Sequence, residues 1–561
     1  MGILSKRLAL ACALVALAAC GKKTDPADPL GYVPADTPYV AANVEVLPDA
    51  TVEVFATQMK AFWPLMFEQV RPIVGELEKD PKHADAARVV RALFDEIAPR
   101  DTPEKWAEIG FGTKVRSAIY GVGLVPVLRL ELADAEAFRA TVARVEAKAG
   151  TTLGTGRIGD QDLWIVDGGK VQGLMAIQGT HLVLTVAPAE ADEALKRRLL
   201  GLDRPEQSLA ASGALTALNQ AEGYLPYGSG YVDLRRIVAL IDRDPGYQAF
   251  ARLAEEAPPA LDETCRGELD AIVAKAPRAS FGYTVLDAGH MTMHSLLELD
   301  PALVQGLQGL AVSPPGSAAT GDALLDLSFS LPVLKAKAFV EKQVDAIVAA
   351  PYRCEALAFV NEGAQDLQQK LDQTVPPPLS DLTGLRLSLD RFTWKGQDKP
   401  DFAGKLLIAS DDPATLVSMA QLAVPTLRDV QLTAGGAPVD LPLPPEAAGF
   451  VDFAQAALAP KALALAFGTG AAATDLGTWL AEPAATDAQL LGFRYSGRLY
   501  GVIGDATRRF ADAMPEEQRD AIDSQLRLYA LYEQWFKRFD QRVRVTPKGL
   551  LITQDVELAK P

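Results

Sequence analysis

One unit recurs along this chain and restricts what it can fold into: an apolar run, a small or acidic residue, then an amphipathic run. It reads VLRLELADAEAFRATVARVEAKAG from Val127, HLVLTVAPAEADEALKRRLL from His181, LLDLSFSLPVLKAKAFVEKQVDAIV from Leu324, KLLIASDDPATLVSMAQLA from Lys405 and LALAFGTGAAATDLGTWLAE from Leu463. Within each, the apolar period changes from that of a strand to that of a helix. Asp134, Asp411 and Asp412 stand where an N-cap or first-turn acid belongs, and Pro188, Pro332 and Pro413 suit a helix start. Hairpin-like pairs lie between these joints, in SFGYTVL-DAG-HMTMHSLLEL and LLGFRYSGRLYGVIG. The pattern predicts an α+β fold of antiparallel sheets with helices packed on one face. The first two joints and the last two are about 54 and 58 residues apart, too irregular for a solenoid but pointing to two related halves. Those halves are expected at 32–311 and 322–561, with VSPPGSAATG (312–321) as the linker.

The first twenty residues carry a different signal. Lys6 and Arg7 precede an apolar run from Leu8 to Ala16, followed by Leu17-Ala18-Ala19-Cys20. The run is too short to span a bilayer and suits a cleaved signal peptide. The tetrad resembles the lipobox of bacterial lipoproteins. That resemblance implies removal of residues 1–19, a diacylglyceryl thioether on Cys20, and acylation, typically with palmitate, of its new amine. Gly21 follows the cysteine where inner-membrane retention favours Asp, so the resemblance implies the inner leaflet of the outer membrane, facing the periplasm. Residues 20–31 read as a lipidated, Pro-containing tether, and no later segment approaches the ~18 apolar residues of a membrane span. The next residues, Val33-Pro34-Ala35-Asp36-Thr37-Pro38-Tyr39-Val40, resemble the opening strand of a group of uncharacterised bacterial envelope proteins. That likeness implies a strand, a helix and hairpins, and assigns no site residue.

Charge and cysteine usage fit that address. The 561 residues carry a formal charge of −17, and loss of Lys6 and Arg7 makes the mature chain more acidic still. No basic footprint for nucleic acid exists. An acidic body is repelled from anionic lipid, so the membrane partner is reached through the acyl chains of Cys20. Cys12 leaves with the signal peptide and Cys20 is lipidated, which leaves Cys265 and Cys354. In an oxidising compartment an even pair reads as a disulfide, with two separate buried thiols as the alternative. Both cysteines sit on apolar stripes read as helical. The bridge would close a loop of about 90 residues, worth roughly 4–5 kcal/mol in the chain-entropy model.

Candidate sites are sparse. Gly154-x-Gly156-x-x-Gly159 matches a dinucleotide fingerprint in letters only, since it follows a helix and precedes a strand, and it reads as a flexible turn. Gly468-x-Gly470-x-x-Ala473 has the right order but lacks the acidic residue that would hold a ribose. The histidines are His83, His181, His290 and His294, and the last two read as solvent-facing strand residues about 13 Å apart, too far for one metal. No cofactor, metal set or nucleophile constellation emerges, so the reading leans away from an enzyme. Two aromatic stretches remain: Trp63 and Phe67 in an early helix, and Tyr529, Tyr532, Trp535, Phe536 and Phe539 in the last turns of a helix starting at Pro515. Core packing is their ordinary role. As a site they would line an apolar ligand or partner surface, with Arg542 and Arg544 beside it for an anionic group. Three functions follow: a non-catalytic binding or structural envelope module with a protein partner, a carrier of a lipid or other hydrophobic ligand, and a periplasmic hydrolase whose site is concealed by sequence order.

Overall fold

All five joints turn from strand to helix where the apolar period changes. A computed structural model describes residues 28–559 apart from 78–83, 254–260, 319–320, 396–398, 444, 448, 471–475 and 513–518. The signal peptide, Cys20 and His83 therefore lie outside the described residues. In chain order the strands are β1 (Tyr39–Asn43), β2 (Ser117–Val122), β3 (Val125–Glu131), β4 (Gly154–Ile158), β5 (Gln161–Gly168), β6 (Val171–Gln178), β7 (His181–Pro188), β8 (Ser229–Asp233), β9 (Arg278–Leu286) and β10 (His290–Glu298). They continue with β11 (Leu325–Ser330), β12 (Leu382–Lys395), β13 (Lys399–Ser410), β14 (Val439–Asp440), β15 (Phe453–Ala459), β16 (Ala462–Gly468), β17 (Gln489–Ser496), β18 (Phe536–Thr546) and β19 (Gly549–Leu558). The helices that carry the packing are α1 (Asp49–Leu77), α2 (Ala84–Ile97), α3 (Ala135–Ala149), α4 (Glu193–Leu200), α5 (Pro245–Ala251), α6 (Glu263–Lys275), α7 (Val333–Ala349), α8 (Ala358–Leu371), α9 (Pro413–Ala423), α10 (Leu476–Leu480), α11 (Arg498–Asp512) and α12 (Arg519–Trp535). The fold class is α+β with antiparallel pairing throughout the named strands. The expected caps hold in part. Asp134 accepts from the N–H groups of Glu136 and Ala137, and Asp412 from that of Thr415, but Pro188 ends β7 and Asp192 caps α4 instead. Gly154–Ile158 is β4, not a loose turn; Gly159 alone makes the turn, at φ +57°.

The chain divides into two compact units, the first formed by Met1–Leu47, Pro81–Val232 and Leu240–Pro258, the second by Pro48–Asp80, Asp233–Ala239 and Pro259–Pro561. In the first, the strands are neighbours in the order β8, β1, β2, β3, β7, β6, β5, β4. Val125 and Val127 point inward from β3 and pack with Tyr120, Val183, Leu199 and Leu200. A fully buried leucine contributes roughly 1.5–3 kcal/mol. The next inward position of β3 is Arg129, also fully buried. Its Nη2 donates to the Gln178 side chain and the Leu200 carbonyl, and its guanidinium lies 3.5 Å from the centroid of the Tyr32 ring, with that of Arg204 at 3.4 Å. Arg204 Nη1 also donates to the Gly31 carbonyl, and Leu30 and Val33 are buried. Of the expected tether 20–31, residues 28–31 are packed onto the first unit, because Leu30 and Val33 gain more by burial than as a solvated link, and residues 20–27 lie outside the described residues.

In the second unit the order is β9, β10, β19, β18, β17, β11, β12, β13, β16, β15, β14. The stretch expected as a linker is built into this unit. Val312 N–H donates to Ser330 Oγ, Gly316 N–H to the Glu482 carbonyl, and Ala485 N–H to Ser317 Oγ. Gly316 has φ +76°, and a Cβ there would lie 1.7 Å from Arg386 Nη1. The space it leaves lets the buried Arg386 reach both Asp326 and Glu482. Arg386 and Lys405 lie over the Trp479 ring of α10, on alanine-rich strands where Ala464 and Ala466 let the helix approach closely. Arg386 is opposite Ser328, which is opposite Gly492, whereas Tyr495 projects from the other side of β17 and meets Tyr500 of α11. Helices therefore cover both faces here, correcting the expectation of one.

Cys265 and Cys354 are joined in a disulfide in the second unit. Cys265 is in the first turn of α6, its N–H capped by Asp262. Cys354 is not helical; it precedes a short 3-10 turn (Glu355–Leu357) ahead of α8, and its N–H donates to the Glu268 carboxylate.

Candidate functional site

The segment LLGFRYSGRLYGVIG, expected as a hairpin, is a strand running directly into a helix: β17 ends at Ser496 and α11 begins at Arg498. The Arg498 N–H donates to Ser496 Oγ. Gly497, Gly501 and Gly504 fall at helical spacing on the side facing α12. A Cβ at Gly497 would meet the Phe536 carbonyl at 1.6 Å, and one at Gly501 would meet the Glu533 carboxylate at 2.5 Å. Without side chains there, the two helices close on each other and leave a cleft. Its other wall is the part of β12 around a register shift between Leu389 and Arg391.

This cleft has a volume of about 350 Å³ and is lined by Leu324, Asp390 to Thr393, Arg498, Tyr500 to Val502, Gly504, Asp505, Arg508, Leu526, Ala530 and Glu533. Most of its charges are already neutralised. Asp390 pairs with Lys405, Arg391 with Asp401 and the Thr469 carbonyl, and Arg508 with Asp505. Two are not. The side chain of Arg498 donates to neutral oxygens, Ser496 Oγ and the Asp322 carbonyl. Glu533 has no hydrogen-bond or ion-pair partner for its carboxylate among the described residues.

Behind the cleft lies an aromatic layer, and here the expected surface residues come together. Tyr500 stacks on Tyr529 and contacts Tyr532 at 5.0 Å and Phe536 at 5.9 Å. Phe539 stacks on Tyr495, whose hydroxyl lies 3.0 Å from that of Tyr500. From α1, Phe62 contacts Tyr532 and Trp535, while Trp63 packs edge-on against the buried Phe67. Burial, then the neighbouring Tyr500 hydroxyl, raises the pKa of Tyr495, and burial does the same for Tyr532. The expected long helix ends at Trp535; Phe536 and Phe539 are on β18, and Pro515 lies outside the described residues. Arg542 and Arg544 are on the face of β18 opposite to Phe539, tied to Asp540 and to Asp487 and Thr553. They do not flank the aromatics as expected.

His290 and His294 were expected to face solvent. His290 Nε2 instead pairs with Asp555 Oδ2 at 2.8 Å, and Thr292 Oγ1 donates to the same oxygen. In a hydrolytic triad the acid holds one ring nitrogen and the other takes the nucleophile's proton. Here Asp555 occupies the nitrogen nearest Thr292, so this arrangement does not activate the hydroxyl. His294 sits beside Arg544, and burial followed by that charge lowers its pKa. His181 is buried edge-on against Tyr32. A second cavity, of about 390 Å³, lies in the first unit between α4 and α5 and ends at Leu253, where the described residues stop.

Arg498 was missed because the strand-like letters FRYSGRLYGV masked the helix, and Glu533, on a helix that was expected, was missed because the cleft it faces is formed only by that masked one. The glycine spacing 497, 501, 504 is the signal that identifies it. No protein-family model, curated protein or solved structure matches this chain.

Proposed function

We propose that this chain is an envelope lipoprotein, held at the outer membrane through acyl chains on Cys20, whose periplasmic body is a non-catalytic binding module. The observation that carries the binding role is the cleft between β12, α11 and α12, with one cation and one anion left unpaired on its wall. A cation and an anion lining one formed cavity offer a ligand two complementary contacts, which favours a binding role over a scaffold alone. The Cys265–Cys354 bridge supports an oxidising compartment. A lipid carrier fits less well. The apolar cleft lined by Val417, Leu427 and Leu463 holds about 50 Å³, far below the ~300 Å³ where ligand pockets begin. Palmitate labelling and membrane fractionation of the natural chain and of Cys20→Ala test the address. Label and membrane association are expected in the first and lost in the second; an unlabelled, unanchored natural chain overturns the reading.

We also infer that the body is duplicated. The order β8, β1, β2, β3, β7, β6, β5 matches β17, β11, β12, β13, β16, β15, β14 strand for strand. The helices α3 and α9 follow β3 and β13, and α4 and α10 follow their neighbours β7 and β16. Helices precede each second strand in the chain, α1, α2 and a short helix (Pro103–Ala107) before β2, and α7 and α8 before β12. The repeat changes over between β10 and β11, at the stretch containing 312–321, even though that stretch is packed and the compact units divide elsewhere.

A further inference from the structure

We propose that the cleft over Gly501 binds a small zwitterion of the amino-acid class, its carboxylate on Arg498 and its ammonium on Glu533; this rests on reading the body as a binding module. Arg498 lines the cleft from α11 and Glu533 lines it from α12. Arg498 precedes Gly501 by one helical turn, about 5 Å along the axis of α11. The Glu533 carboxylate stands 2.5 Å from where a Gly501 side chain would begin. An α-amino acid carries both its charges on one carbon and satisfies both groups at once. An anion alone leaves Glu533 unpaired and repelling, and a cation alone does the same to Arg498. The other charged side chains of the cleft are already held in pairs, Asp505 with Arg508 and Asp390 with Lys405. Leu324, Val502 and Leu526 offer an apolar wall to the ligand's side chain. A volume of about 350 Å³ suits one amino acid or a dipeptide and excludes a polymer lying within it.

Isothermal titration of the full chain in detergent with L-leucine, N-acetyl-L-leucine and L-leucine methyl ester tests this. L-leucine is expected to bind, and each blocked analogue to bind at least about tenfold more weakly, as loss of one charge-assisted hydrogen bond predicts. In Glu533→Gln the advantage of leucine over N-acetyl-leucine should vanish, and in Arg498→Gln its advantage over the methyl ester. Unchanged circular dichroism and melting would show that both variants fold. Equal binding of all three probes, or preferences untouched by either substitution, overturns the assignment. Tight binding of one blocked analogue alone overturns the zwitterion while leaving a binding site. No binding of any probe, with no ligand-induced shift in the tyrosine fluorescence of the Tyr500 layer, removes both.

Discussion

Glu96 is a buried carboxylate on α2 that the sequence offers no means of pairing. Arg100 lies one turn away, but Arg144 and Lys148 come from α3, and together the three enclose it. Burial pushes its pKa up, yet the hydrogen bonds from Lys148 and Arg144 outweigh that and hold it below the ordinary 4.5. A carboxyl lowered on folding stabilises the fold above the unfolded value, and that contribution is lost as pH falls through the folded one. Glu96→Gln is therefore expected to lower stability at pH 7 by on the order of 1–3 kcal/mol. Its acid unfolding, followed by circular dichroism, should be shallower below pH 4.5 than that of the natural chain. His294 has the same acid sensitivity by a different route. Burial and then Arg544 lower its pKa, so protonation favours the unfolded chain and stability falls as pH drops through 6.5. His294→Gln should remove that part of the slope between neutral and mildly acid pH.

Among the elements, strand-to-helix joints were the most legible, because a change of period from 2 to 3.6 is local and does not depend on what the element packs against. The hairpin at 278–298 was legible for the same reason. The run from β17 to α11 was not, since Phe493, Tyr495 and Tyr500 are all strand-favouring residues, and only contact with Tyr529 and Tyr532 of α12 accompanies the helical state of Tyr500. The helix end at Trp535 was missed likewise: Phe536 enters β18 because Leu558 and the strands beside it offer a ladder, which no neighbouring letter records. The candidate cleft depends on residues from four separated segments, and only its glycine stripe is visible in sequence. That stripe makes a graded prediction. Gly501→Ala should be tolerated, since Glu533 can swing away and Ala gains about 1 kcal/mol of helix propensity. Gly497→Ala should lower the melting temperature clearly, because the Phe536 carbonyl 1.6 Å from its Cβ is main chain. On the opposite face, Trp479→Ala should cost about 3–5 kcal/mol, leaving a cavity beneath Arg386 and Lys405. Trp479→Phe should cost less, as measured by chemical denaturation.

For the molecule as a whole, the disulfide and the paired charges distribute stability unevenly. The bridge ties residues 89 apart within the second unit. Replacing both cysteines with serine should destabilise that unit by about 2–5 kcal/mol, seen as an earlier denaturant transition that reductant reproduces in the natural chain. The first unit has no such bridge among the described residues, so its transition should not move. Its strength lies instead at its entrance, where Tyr32 is gripped between Arg129 and Arg204 and Leu30 is already in the core. A pull applied to the chain at Asp28 is therefore borne directly by the core of the first unit.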